Sequence, residues 1–515
     1  GYGWKTVPCR CGHDSLSLYI MKTKWIDRVR RLAAGLLLGS MLLPGCRKQG
    51  PEDASRLDEE TRSQREYVNT FAYSVMNVYY LWRDEVEEGM KSWLTTDEPI
   101  GKVADLRYKD AQGKDVDRWT VLTDDFAGMQ GSVSGHTKSF GLDFMLFYAD
   151  QSQSRIYGAV TFTYAGSPAE KAGLVRGDVF RTVGGKEMTP DNYVDLLTQS
   201  IYGGGSIQLG LTDGRTVQMT AVDMYENPVQ HSCILERGDK KVGYLHFTSF
   251  TLDACEALVD VFRGLTEAGI DEMVLDLRYN GGGYVTTEEL LASMLAPKAV
   301  VAAGEVLSTE VYNAFLTKEW GNEPTCFRTS FEISSGGTKK ILSTEGANPD
   351  LKRLYVIVSG SSASASESLV CVLRPYMDVI LIGRQTYGKY CAGALIGAEN
   401  WYESVKDDLD DGMYEKALPY VDNWGIYVMY ARYADCNGDT LSMPDGIVPD
   451  VEGQDNPMDG KALGDPSESL LSIALDLMDG QAPSQTRAGG RPSGLEFLPE
   501  AGLRPGFGVL VGGFH

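Results

Sequence analysis

Histidine is nearly absent from this chain. Five occur in 515 residues, and with His13 and His515 near the two ends only His136, His231 and His246 remain in its body. No HExxH pair, tetracysteine pattern or Walker loop is present, and the tri-glycines at 203–205 and 281–283 lack the spacing of a phosphate loop. Zinc-hydrolase and nucleotide-phosphate chemistry therefore have no recognisable motif. Positive charge is also short, with 48 Lys and Arg against 71 Asp and Glu, net −23. Clustered basic residues are what phosphate backbones require, so nucleic acid is not an expected partner. No internal repeat is evident.

Long apolar runs are scarce too. The run from Leu32 to Leu43 is too short and too glycine-rich for a membrane span, and it follows the basic residues Lys22, Lys24, Arg28, Arg30 and Arg31. That order is the layout of a secretory signal, starting at Met21. It ends in Leu43-Pro44-Gly45-Cys46, which resembles a bacterial lipobox. The expectation is a leader and lipoprotein signal peptide over 1–45, with lipidation at Cys46, a polar tether over 46–65, and anchoring to a bacterial membrane in the cell envelope. Cys9, Cys11 and His13 precede Met21 and are set aside with the leader. Six cysteines follow Cys46. An exported protein can pair some of them, but spacing alone gives no connectivity.

What is present divides along the chain. Residues 66–93 carry Val68, Phe71, Ala72, Val75, Met76 and Tyr79 at helical spacing, which predicts a helical N-terminal domain over 66–130. From 138 to 226 short strands alternate with glycine turns. Ser167 and Glu170 form a capping-box pair, and Asp213-Gly214 marks a hairpin. From 227 to 478 the pattern becomes strand–helix alternation: VGYLHF, a helix with Leu258, Val261, Phe262 and Leu265 ending at Gly269, MVLDLR, a helix capped by Thr286 and Glu289, LYVIV, SESLVCVL and VILIG. Such alternation indicates a parallel α/β sheet. The Gly-, Pro- and Ser-rich tail over 479–515 reads as low-complexity.

Residues 359–370, SGSSASASESLV, lie where a buried strand passes into a helix. Ser364-Ala365-Ser366-Glu367 is an S-x-x-E capping box, and that alone accounts for one serine and the glutamate. The geometry also suits a nucleophile: a strand-to-helix turn is rigid, small neighbours admit another chain, and the helix N-terminus favours an oxyanion. A serine needs a base. With histidine scarce, a buried neutral lysine can serve, and Lys389 in TYGKY follows the next strand.

Taken together, SASASE, TYGK with its lysine 25 residues after Ser364, DLRYNGGG (276–283) and DGIVPD (445–450) closely resemble the motifs of the C-terminal processing peptidases, the tail-specific proteases of family S41. The resemblance implies an α/β, ClpP/crotonase-like protease core with an embedded PDZ-like domain and a helical N-terminal domain. It implies a serine endopeptidase in which Ser364 is the nucleophile and Lys389 the general base, with Gly283 and Ala365 donating to the oxyanion. SPAEKAGLVRGDVF is the most diagnostic part of the PDZ-like segment. FGLDF (Phe140, Gly141, Leu142, Asp143, Phe144) falls where such domains bind a terminal carboxylate, and DRWTVLTDD (117–125) resembles the segment just before that domain. Expected partners are protein or peptide substrates held through their C-terminal tails; no metal or cofactor is implied. The ensemble looks most like exported members from Bacteroidetes-type bacteria. Two positions depart from the pattern. A glutamine that orients the lysine in many members is here Gly393, and an aspartate 11 residues after the serine is here Pro375. The departure at Gly393 motivates an alternative, a catalytically impaired PDZ scaffold lipoprotein. Acyl-CoA chemistry on the related crotonase fold is disfavoured by the inserted domain and the export signal.

Overall fold

A computed structural model describes residues 59–90, 96–202, 204–322, 324–409, 412–441 and 443–481, together with Leu498. The leader, Cys46, the tether up to Asp58 and nearly all of the tail lie outside the described residues.

The strand–helix alternation builds a mixed α/β core. Its central sheet runs in the order Val229–Arg237, Lys240–Phe247, Glu272–Asp276, Arg353–Val358, Asp378–Gly383 and Val451–Glu452. The first pair is antiparallel and the rest are parallel. The strands carry continuous apolar runs because helices cover both faces. Ala254–Ala268, Val285–Leu295 and Ala365–Leu373 share one apolar core, and Ser469–Met478 packs on a second. In the helix Ala254–Ala268 the buried stripe is Leu258, Val259, Phe262 and Leu265, so Val259 rather than Val261 faces fully inward. Gly269 closes this helix in the left-handed region. The capping box expected at Thr286 and Glu289 does not form. The helix starts from Tyr284 without a side-chain cap, and Glu289 instead accepts from Arg328 Nη2 at 2.5 Å.

A second, antiparallel sheet brings distant segments together. Gly425–Ala434 pairs with Val121–Thr123, with Cys391–Gly397 and with Val306–Tyr312. The N-terminal helix Glu59–Tyr79 buries Val68, Phe71, Ala72, Val75 and Met76 in the same apolar cluster as the sheets. The described residues of 59–123 therefore cover the core rather than stand beside it.

Residues 136–225 form an insertion with its own core. Its entering and leaving strands, His136–Ser139 and Val222–Tyr225, pair antiparallel and close its neck. Beyond them lies a sheet in the order Leu142–Tyr148, Ile156–Thr163, Val179–Val183, Ser206–Leu211 and Thr216–Thr220. Its core includes Phe140, Phe144, Leu146, Phe180 and Leu209. Ser167 Oγ caps its short helix by accepting from Glu170 N at 3.1 Å, while Glu170 Oε2 accepts from Gly166 N at 2.6 Å. Leu146 is on an edge strand, and its carbonyl accepts from Leu498 N at 2.9 Å. Arg176 fixes the insertion to the core, donating to Asp455 at 2.6 Å and to Tyr279 Oη at 2.8 Å. Beneath it, fully buried Arg278 is neutralised by Asp276, Asp455 and Glu468, as a charge removed from water must be.

Candidate active site

Ser364 sits between the strand Arg353–Val358 and the helix Ala365–Leu373. Its backbone is at φ 62°, ψ −113°. A non-glycine residue there is strained, which persists only where neighbours hold it. They do. The Ala363 N–H donates to Asn280 O at 3.1 Å, and Ser366 Oγ donates to the same carbonyl at 3.0 Å. An ideal Cβ on Gly282 would lie 2.7 Å from Ser364 Cβ, so the GGG turn must be glycine to approach this closely. Ser364 Oγ is buried and, among the described residues, has no hydrogen-bond partner. It caps nothing.

The expected oxyanion donors lie beside it. Gly282 N is engaged, donating to Asn280 Oδ1 at 2.8 Å. Among the described residues neither Gly283 N nor Ala365 N donates to an acceptor. Ala365 is the first residue of its helix, where N–H groups lack intrahelical acceptors and the dipole is positive.

Lys389 is fully buried. Burial pulls its amine down to about 8, against nearby Cys391, Asp117 and Glu367, which favour the charged form. Nζ donates to Tyr427 Oη at 2.9 Å and lies 5.5 Å from the centre of the Trp119 ring. Asp117 is held by the N–H groups of Trp119 and Thr120 at 2.9 and 3.0 Å and by Tyr80 Oη at 2.8 Å. Arg118 donates to Tyr387 O at 3.1 Å and stacks over the Tyr387 ring at 4.4 Å. The segment 117–120 thus closes the lysine pocket.

Glu367 joins the two loops. Its carboxylate accepts from Ser364 N at 3.0 Å, Lys389 N at 2.8 Å and Gly388 N at 2.8 Å, and from Thr386 Oγ1. Burial raises its pKa, and these four donors oppose the rise. Behind it the DGIVPD stretch packs on the lysine turn. Thr386 and Ile447 exchange two hydrogen bonds, at 3.0 Å and 2.7 Å. A Cβ on Gly388 would fall 2.1 Å from Pro444 O, and one on Gly446 would fall 2.0 Å from Thr386 O.

Sequence reasoning named Ser364, Lys389, Gly283 and Ala365, and the fold gathers their loops around Glu367 and Asn280. It read Glu367 only as a helix cap, and it did not find Asp117, Trp119, Asn280 or Tyr427 as parts of the site. His246, the remaining histidine candidate, is buried edge-on to Phe162 and Tyr279 with its pKa lowered to about 4 by burial. No hydrogen bond among those described connects it to Ser364. In the insertion, Phe140, Asp143 and Phe144 are buried and Leu142 is half-buried. Asp143 accepts from Thr161 Oγ1 at 2.7 Å; Gly141 has φ 63° and donates to Ser139 Oγ at 2.8 Å. The six cysteines from Cys233 to Cys436 are free thiols.

Residues 241–453 match the model of peptidase family S41. The chloroplastic carboxyl-terminal-processing peptidase 2 of Arabidopsis thaliana is 26% identical over 275 residues, which is 51% of this chain and 47% of that protein. The carboxyl-terminal-processing protease of Synechocystis is 23% identical over 362 residues, 69% of this chain and 71% of that protein. A solved Bacteroides fragilis structure assigned to the S41 proteases has the same fold, with TM-score 0.59 at 23% identity over 80% of this chain and 97% of that one. The chain spans about half the length of curated relatives it matches, 47% of the Arabidopsis protein and 54% of a Tetradesmus obliquus C-terminal processing peptidase.

Proposed function

Since residues 241–453 match the model of peptidase family S41, we propose that the chain is a serine endopeptidase using Ser364 and Lys389 on protein substrates. Neutral Lys389 takes the proton from Ser364 Oγ as Oγ attacks the scissile carbonyl. The oxyanion is held by the Gly283 and Ala365 N–H groups. Collapse expels the amine, which takes the proton back from the Lys389 ammonium. Water, activated by the same lysine, then hydrolyses the acyl-enzyme. The observation that most supports this is the pairing on one carboxylate, Glu367, of a strained serine with an unpartnered Oγ and a buried lysine with a lowered pKa.

The insertion is proposed to be a PDZ-like domain that captures C-terminal tails. Its edge strand Leu142–Tyr148, where the Leu146 carbonyl accepts from the Leu498 N–H of this chain's own tail, would offer strand addition to a substrate tail that displaces Leu498, and a docking carboxylate would take the Gly141 N–H from Ser139 Oγ. The test is cleavage, by the full chain, of one protein substrate with its apolar C-terminus free or amidated, beside a short internal peptide. Amidation should lower kcat/KM on the protein by about tenfold or more, the worth of one lost charge-assisted contact, and leave the peptide unchanged. Equal rates on both protein forms would remove the tail-docking role. No hydrolysis of any of the three would remove the peptidase reading.

Anchoring in the bacterial envelope through lipidated Cys46 is proposed from the LPGC sequence alone. In an exporting bacterial host the chain should fractionate with membranes and Cys46→Ser should be soluble. A Cys46→Ser chain that stays in the membrane pellet would refute the anchor.

A further inference from the structure

The residue that holds the lysine is not the one four positions after it. That position, Gly393, lies on the strand Cys391–Gly397, antiparallel to Gly425–Ala434. A Cβ there would fall 2.2 Å from Cζ of Tyr427 and 2.4 Å from Cε of Met429. A glycine inside a buried strand marks a close approach by something else, and here the something else is the Tyr427 ring. The ring is nearly buried, at 2% exposure. It passes over the glycine and delivers its hydroxyl to Lys389 Nζ at 2.9 Å. The ring centre is itself 5.1 Å from Nζ.

We propose that Tyr427 is the positioning residue of the general base, and that Gly393 is required because it makes room for the tyrosine ring. This rests on the Ser364/Lys389 reading above. A lysine stem has four rotatable bonds and loses considerable freedom when one rotamer is selected. The hydroxyl fixes the end of that stem from the side chain of a different strand. It accepts from Nζ, so one N–H is committed to Tyr427 and the nitrogen lone pair is left for the Ser364 proton. A hydroxyl acceptor also favours the ammonium over the amine, which works against the burial that lowers the pKa. Other titratable groups acting on Nζ include Cys391, Asp117 and Glu367, and none of them changes in the test variant.

The experiment is Tyr427→Phe in the full chain, which keeps the ring over Gly393 and removes one oxygen. Turnover of casein and of an internal peptide is measured across pH 6 to 10, with thermal unfolding alongside. The kcat should fall by about ten- to hundredfold, the loss expected for one hydrogen bond to a charged group. KM should change little, the unfolding midpoint should hold, and the ascending pH limb should move to lower pH. Gly393→Ala is the second variant. It displaces the ring and should lower kcat even with the hydroxyl present. Wild-type kcat and an unmoved limb in Tyr427→Phe, or a loss of activity that only tracks a lowered unfolding midpoint, would overturn the proposal. If Lys389→Ala is inactive while Tyr427→Phe is not, only this proposal fails. If Lys389→Ala retains turnover, the dyad beneath it has failed.

Discussion

Ser364→Ala and Lys389→Ala should each lower casein hydrolysis by about three orders of magnitude or more, and the double variant should be little worse than either. In the proposed dyad, nucleophile and base act as one unit, so their losses do not add. The wild-type activity should rise with pH along a limb near 8, because Lys389 must be neutral to accept the Ser364 proton and its pKa is lowered to about 8. An unperturbed lysine would place that limb near 10.5. The same shift enters stability. Below pH 8 the folded chain holds a proton on a buried amine at a cost. Between pH 8 and the unfolded value of 10.5 the unfolded chain binds more protons, so the lysine's contribution to stability rises with pH across that window. The full span is about 3 kcal/mol. A Lys389→Ala chain with near wild-type turnover would dismiss the dyad. A limb near pH 10 in the wild type would dismiss the desolvated lysine.

The second large effect is expected at Glu367, a residue that touches no substrate in this mechanism. Its carboxylate satisfies three backbone N–H groups and one hydroxyl. Glu367→Ala leaves four buried donors without an acceptor, each worth about 1–3 kcal/mol if orphaned and in part relieved by local rearrangement. A loss of at least about 3 kcal/mol in denaturant unfolding is expected, with turnover reduced to background. Glu367→Gln should be nearly as damaging. All four partners donate, and the amide brings an NH₂ where an acceptor is needed. Wild-type stability and turnover in Glu367→Ala would show that the carboxylate does not hold the two loops.

Much of this was readable before any coordinates. The strand–helix alternation gives the parallel sheet because buried strands and amphipathic helices have different periods. The serine and lysine turns stand out because small residues and glycine interrupt those periods. What could not be read depends on strands that meet only in three dimensions. Tyr427 lies 38 residues after Lys389 and looks like one apolar residue of IYVMYARY. Asp117 and Trp119 reach the lysine only because Val121–Thr123 pairs with Gly425–Tyr427. Glu367 satisfies a local rule as a helix cap, which hides its tertiary bonds to residues 386–389. The one local signal of the missing orienting group was Gly393, an unexplained glycine in a buried strand. The helical N-terminal stretch was visible from its spacing, but its merger with the core was not, since an amphipathic stripe does not say which surface covers it.

The glycines around the site differ in what stands against them. At Gly388 the obstacle is main chain, at Gly446 main chain together with the Thr386 hydroxyl, and at Gly282 main chain together with the serine itself; at Gly393 it is two side chains. Main chain cannot be traded for something smaller, so substitution at 282, 388 or 446 has no second-site suppressor within reach. Side chains can be exchanged. A lineage can therefore drift at 393 provided 427 changes with it, passing the task of holding the lysine from one strand to its neighbour while the rest of the site stays frozen. Of these four glycines, 393 is the one whose obstacle a second substitution can remove, and only as half of a pair.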